Sequence, residues 1–140
     1  MVGTIREDQG WSYGGIAQET ISGGQFVKAM SAGAAGTLPN VALVDAAADH
    51  LLAVGVATNN ATSGGIVGYM MKGVGDFYCH TAVVAGTLVG IADGVASADA
   101  VIPITTSLWP VQGSQVFGRA LTSAASGALT RIAFNIAGGF

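Results

Sequence analysis

Gly10-Trp11-Ser12-Tyr13-Gly14 is the first stretch whose residue types could do chemistry, because it has the Gly-x-Ser-x-Gly form of a hydrolase nucleophile elbow. An elbow needs a strand, a strained turn that exposes the hydroxyl, and a helix behind it. Ile5 to Gln9 before the pentapeptide does not read as a strand, and Gly15-Ile16-Ala17-Gln18 after it does not read as a helix. With 22 glycines among 140 residues, a pattern holding two fixed glycines also arises cheaply. A small serine hydrolase using Ser12 is therefore the least favoured reading, and no catalytic residue is assigned.

The other reactive types are sparse. His50 and His80 are the only histidines and Cys79 the only cysteine, which excludes an internal disulfide and a cysteine-based zinc site. On a strand, Cys79 and His80 face opposite sides and cannot share one metal. Asp45, Asp49, Asp93 and Asp99 fall in turn-like segments, where carboxylates bond nearby backbone N–H groups, and they form no Asp-x-Asp-x-Asp-Gly calcium loop. Gly23-Gly24 and Gly64-Gly65 lack the Lys-Ser/Thr of a phosphate loop. No metal and no cofactor are expected, and the chain reads as a surface rather than an enzyme.

Composition points the same way. The chain is 51% hydrophobic, much of it Ala and Val, and only 9% charged, against about 25% in ordinary soluble domains. So little charge leaves apolar surface, which favours lasting contact with other subunits. A net charge of −3, with five scattered cations (Arg6, Lys28, Lys72, Arg119, Arg131), argues against nucleic acid. The start lacks the pattern of a secretion signal, and the apolar run Ala82 to Ala92 is interrupted by glycine and too short to span a bilayer. No membrane partner is expected, and the protein reads as made in the cytoplasm.

What positions these residues is a set of short β segments. Gln25 to Met30, Leu52 to Thr58, Ile66 to Lys72, Asp76 to His80 (with a bulge before it), Gln115 to Leu121 and Ala128 to Ile136 read as strands. Val101 to Thr105 carries Pro103, which assigns it to a sheet edge. Leu52 to Val67 returns near the end as Val116 to Thr130. Gly55, Ala57, Ala61, Ser63 and Gly64 stand 63 residues before Gly118, Ala120, Ala124, Ser126 and Gly127. Gly24-Gln25-Phe26-Val27 likewise echoes Gly86-Thr87-Leu88-Val89 at an offset of 62. The expected fold is all-β, a compact barrel or sandwich built from two similar half-units over 21–140, with an extended N-terminal arm over 1–20. Ile5, Trp11, Tyr13 and Ile16 are the arm residues expected to dock on a partner, aromatic residues being favoured at interface centres.

Gly24-Gln25-Phe26-Val27-Lys28, Val54-Gly55-Val56-Ala57 with a short turn to Gly64, Lys72-Gly73-Val74, Ala85 to Val89, Phe117 to Leu121 and Arg131-Ile132-Ala133-Phe134 resemble, in this order, the capsid decoration (cement) proteins of tailed viruses. The resemblance covers Ser22 to Ile136, and the nearly uncharged Ile66 to Met71 departs from it. It implies a β-barrel module on the outside of an assembled icosahedral shell, with the major capsid protein as partner. It also implies a homotrimer, a terminal arm reaching across capsomers, and no catalysis. The alternative within the same class is a tail-tube or fibre subunit that polymerises on its own. Deleting residues 1–20 is expected to abolish capsid binding and leave the fold intact.

Overall fold

A computed structural model of the chain describes residues 4–8, 12–30, 38–44, 53–91, 100–104 and 116–136. They form eleven strands: β1 (Thr4–Asp8), β2 (Ser12–Ala17), β3 (Phe26–Ala29), β4 (Asn40–Leu43), β5 (Ala53–Ala57), β6 (Ile66–Met70), β7 (Lys72–Cys79), β8 (Leu88–Ile91), β9 (Ala100–Pro103), β10 (Val116–Ala120) and β11 (Leu129–Asn135). Strands β2-β4-β3-β5-β6 close into one barrel. Strands β7-β11-β10-β8-β9 form a second ring, closed by parallel pairing of β7 with β9, and β1 joins it along β7. The all-β architecture of two similar half-units is thus the one expected from the sequence.

The two barrels repeat each other strand for strand. In each, the first strand pairs parallel with the third (β2 with β4, β7 with β9) and antiparallel with the last (β2 with β6, β7 with β11). The turns repeat to the level of single bonds. Gly24 N–H donates to Ala57 O and Gly86 N–H to Ala120 O, each at a positive φ of 94° and 88° that glycine adopts without strain. Gly64 and Gly127, at φ 85° and 80°, likewise donate to Ala17 O and Cys79 O. The offset is 62 at these first positions and 63 from β5 and β10 onward. It is 60 at β4 and β9, where Gln18 N–H meets Val41 O and His80 N–H meets Val101 O. No single register relates the halves, because the loops flanking β4 and β9 differ in length.

Three sequence expectations change here. Pro103 does not mark an edge: β9 is bonded on both sides and closes the second barrel. Proline is tolerated because Ile104 N–H donates to Leu88 O, so the Pro103 nitrogen points away from β8, and the pairing with β7 stops at Val101. The bulge expected before Asp76 lies instead in β1, between Ile5 and Glu7, and β7 runs unbroken for eight residues. The strands described within 1–20, where a separate arm was expected, are paired into the barrels. Ser12–Ala17 is a full barrel strand, and β1 occupies the side of β7 that β9 leaves open over Gly73–Asp76.

Consecutive residues buried on one strand show where the barrels meet. Val27, Ala57, Val67 and Tyr69 point into the first barrel, with Ala17, Ile21 and Val41. Their neighbours Phe26, Val56 and Met70 point outward, yet are equally buried, in one cluster with Phe77, Ile132 and Phe134 of the second barrel. Phe26 stacks on Phe77 at 5.4 Å between centroids, and Phe77 meets Phe134 edge-on at 5.8 Å. Such aromatic pairs add about 0.5–1.5 kcal/mol each beyond the area they bury. The outer wall of the first barrel is therefore core. The matching positions of the second barrel, Leu88, Arg119 and Ala133, are half-buried or exposed.

Candidate functional site

The expected docking residues fall in two places. Tyr13 and Ile16 lie on β2 of the first barrel, Ile5 lies on β1 of the second, and Trp11 is outside the described residues. Strand alternation puts Tyr13, Gly15 and Ala17 in the row facing the barrel interior, and Gly14 and Ile16 in the row facing out. Tyr13 closes one mouth of the barrel: it pairs with Tyr69 across the ladder, stacks on that ring at 5.9 Å, and stays 49% exposed. Burial, with a smaller contribution from Tyr13, raises the Tyr69 phenol above its ordinary 10.0, so Tyr69 is a neutral hydrogen-bonding group at neutral pH.

On the outward face, Ile16 pairs with Ile66, which is 66% exposed, and Gly14 pairs with Gly68. The Thr58 hydroxyl and Asn59 amide lie over Gly68 and Leu38 approaches Gly14, so the two isoleucines flank an uncharged strip that is partly covered by neutral side chains. The second barrel has Asp76 opposite Arg131 at the positions of Gly14 and Gly68. There the guanidinium forks onto the carboxylate, Nε to Oδ1 at 2.9 Å and Nη2 to Oδ2 at 3.4 Å, and Asp76 is buried. That hydrogen bond, with the charge beside it, raises the Arg131 guanidinium further above its ordinary value. The strip on β2 and β6 can offer apolar contact and no charge, its Gly68 backbone being bonded to Asn59 and Thr58. It has no proton-transfer chemistry to offer. Ile66 was missed at the sequence level because it follows Gly64-Gly65 at a strand start, where one exposed residue carries no periodicity.

Among the described residues the reactive types are not brought together, and Asp45, Asp49, Asp93 and Asp99 lie outside them. Ser12 sits on strand β2 paired with Met70, and the strand runs on to Ala17 where an elbow would turn into a helix. Cys79 is buried at the end of β7, and His80, just past the strand, is exposed. His50 lies outside the described residues, and among these no cluster of His, Cys, Asp and Glu could hold a metal ion. Most turn polar groups serve the backbone, and the same work recurs in both copies. Gly23 N–H donates to Asn60 Oδ1 and Ala85 N–H to Ser123 Oγ, both at 2.9 Å. Gly68 N–H donates to Asn59 Oδ1 and Arg131 N–H to Thr122 Oγ1. The Ser63 hydroxyl donates to Gln18 O, the Ser126 hydroxyl to His80 O.

No protein-family model matches the chain, and no curated protein does. Among solved structures, the head fiber gp8.5 N base in bacteriophage phi29 is similar, with a TM-score of 0.59 and 15% identity over 89% of this chain and 93% of that one. At that identity the likeness shows a shared fold across nearly the whole of both chains.

Proposed function

We propose that the chain is a structural protein of a bacteriophage virion that binds the outer surface of an assembled icosahedral capsid and stabilises it. The single observation that carries this reading is the double-barrel fold, shared end to end with a phage head-fibre base. The uncharged strip of Gly14, Ile16, Gly68 and Ile66, and the aromatic mouth of Tyr13 over Tyr69, supply the contact surface. Ile5 and Trp11 are proposed as further contact residues. The chain acts as a homotrimer on the major capsid protein, without catalysis, cofactor, nucleic acid or membrane, and its place is the capsid surface.

The mechanism is linkage. A protein that binds the assembled shell and not its free subunits shifts the equilibrium toward assembly by RT ln(1 + [L]/Kd) per site. Many symmetric copies multiply modest contacts. A head fibre as structural neighbour favours one second reading, a fibre subunit that associates with itself along an axis. Sedimenting the purified chain with assembled shells, and separately with unassembled capsid subunits, tests the proposal. Co-sedimentation with shells only is the expected result. A chain left in the supernatant refutes capsid binding, and filaments formed without shells favour the fibre.

A further inference from the structure

The duplication supplies an internal control for which turn residues the fold needs. A groove of about 480 Å³ opens at the turn end of the first barrel, lined by Thr20, Ser22, Asn60 and Thr62, with Ile21 and Ile66 among its apolar residues. That volume is within the roughly 300–1,000 Å³ of small-molecule sites. Asn60 Oδ1 is committed to Gly23 N–H. Among the described residues, the hydroxyls of Thr20, Ser22 and Thr62 and the amide nitrogen of Asn60 take no protein partner. The second barrel makes the same turn with Ala82, Val84 and Ala125 in place of those three hydroxyls, and keeps the same bridge, Val83 with Ala124 for Ile21 with Ala61. The hydroxyls are thus not required by the turn.

We infer that this groove binds an uncharged saccharide. No ionisable side chain lines it, so an anion or cation gains nothing there. Three hydroxyls and an amide N–H₂ match the hydroxyl rim of a sugar ring, and Ile66, standing exposed at the groove wall, matches its C–H face. Four polar groups open to solvent, Ser22 half-buried among them, and no aromatic platform place the affinity near Kd of about 1 mM. This inference shares Ile66 with the proposed contact strip but does not rest on capsid binding, since it is argued from the groove and its counterpart.

Amide chemical shifts of the intact chain, titrated with cellotriose, chitotriose and an anionic sialylated trisaccharide, test it. Saturable shifts at Ser22, Ala61, Thr62, Gly65 and Ile66 with a neutral trisaccharide are expected, with none at Val84, Ala124 or Leu129. Removing two hydrogen bonds in the Thr20→Ala, Thr62→Ala double variant weakens binding about tenfold. Its thermal unfolding stays unchanged, because alanine already serves at Ala82 and Ala125. Absence of shifts with both neutral sugars, binding of the anionic sugar alone, equal shifts at the second barrel, or undiminished binding by the folded double variant would each overturn the inference.

Discussion

A β-carbon added at Gly55 would lie 2.7 Å from the Met70 carbonyl oxygen, and one at Gly118 would meet the carbonyl oxygen of Ala133. Both glycines are needed because the neighbouring strand's backbone cannot move aside. Gly55→Ala and Gly118→Ala should each destabilise the protein by about 1–3 kcal/mol in urea denaturation. Cys79 gives a pH prediction. Burial raises its thiol above the ordinary 9.0, so the protonated form is the one the fold favours. Its contribution to stability is complete below pH 9.0 and is lost as pH rises through the higher folded value. Unfolding midpoints measured across alkaline pH should fall with a slope that Cys79→Ala reduces, and thiol reagents should label Cys79 only on unfolding. At this scale the sequence was legible where identical residues recur, as with Ser63 and Ser126. It was opaque where different residues do one job, as Asn60 and Ser123 do, since spacing alone does not show what a side chain accepts from.

Strands were readable wherever apolar residues lay between glycine turns, and β3, β5, β6, β10 and β11 stand within a few residues of their expected places. β1 and β2 were not readable. β2 holds two glycines and a tyrosine, and its strand character comes from the β6 ladder it pairs with rather than from propensity. That changes the expected result of truncation. Deleting residues 1–20 removes a barrel strand that pairs with both β4 and β6, so the first barrel should unfold, which circular dichroism and amide spectra would show. Deleting residues 1–8 removes only β1 and uncovers the β7 edge over Gly73–Asp76. That variant should keep both barrels and associate through the free edge, seen as dimers or larger species in size-exclusion chromatography. A monomer with native spectra would show that β1 does not protect the edge.

Two copies of one barrel became one molecule by asymmetric use of the same positions. The outer wall of the first copy, with Phe26, Val56 and Met70, is sealed by the aromatic end of the second, with Phe77 and Phe134. Phe26→Ala should cost about 3–5 kcal/mol and split a single unfolding transition into two, since the barrels share that cluster. The repeat itself was visible in the sequence, but the shared wall was not, because Phe26 and Leu88 look equivalent until one is covered. Among the described residues, the uncharged outer strip and the half-exposed Tyr13 beside Tyr69 are the surface we propose for holding another protein. Cryo-electron microscopy of assembled capsids mixed with the purified chain tests that account most directly. The prediction is trimeric double-barrel density on the outer surface of intact shells, with the β2–β6 face of the first barrel toward the major capsid protein. Bare shells beside unbound chain at saturating concentration would contradict it.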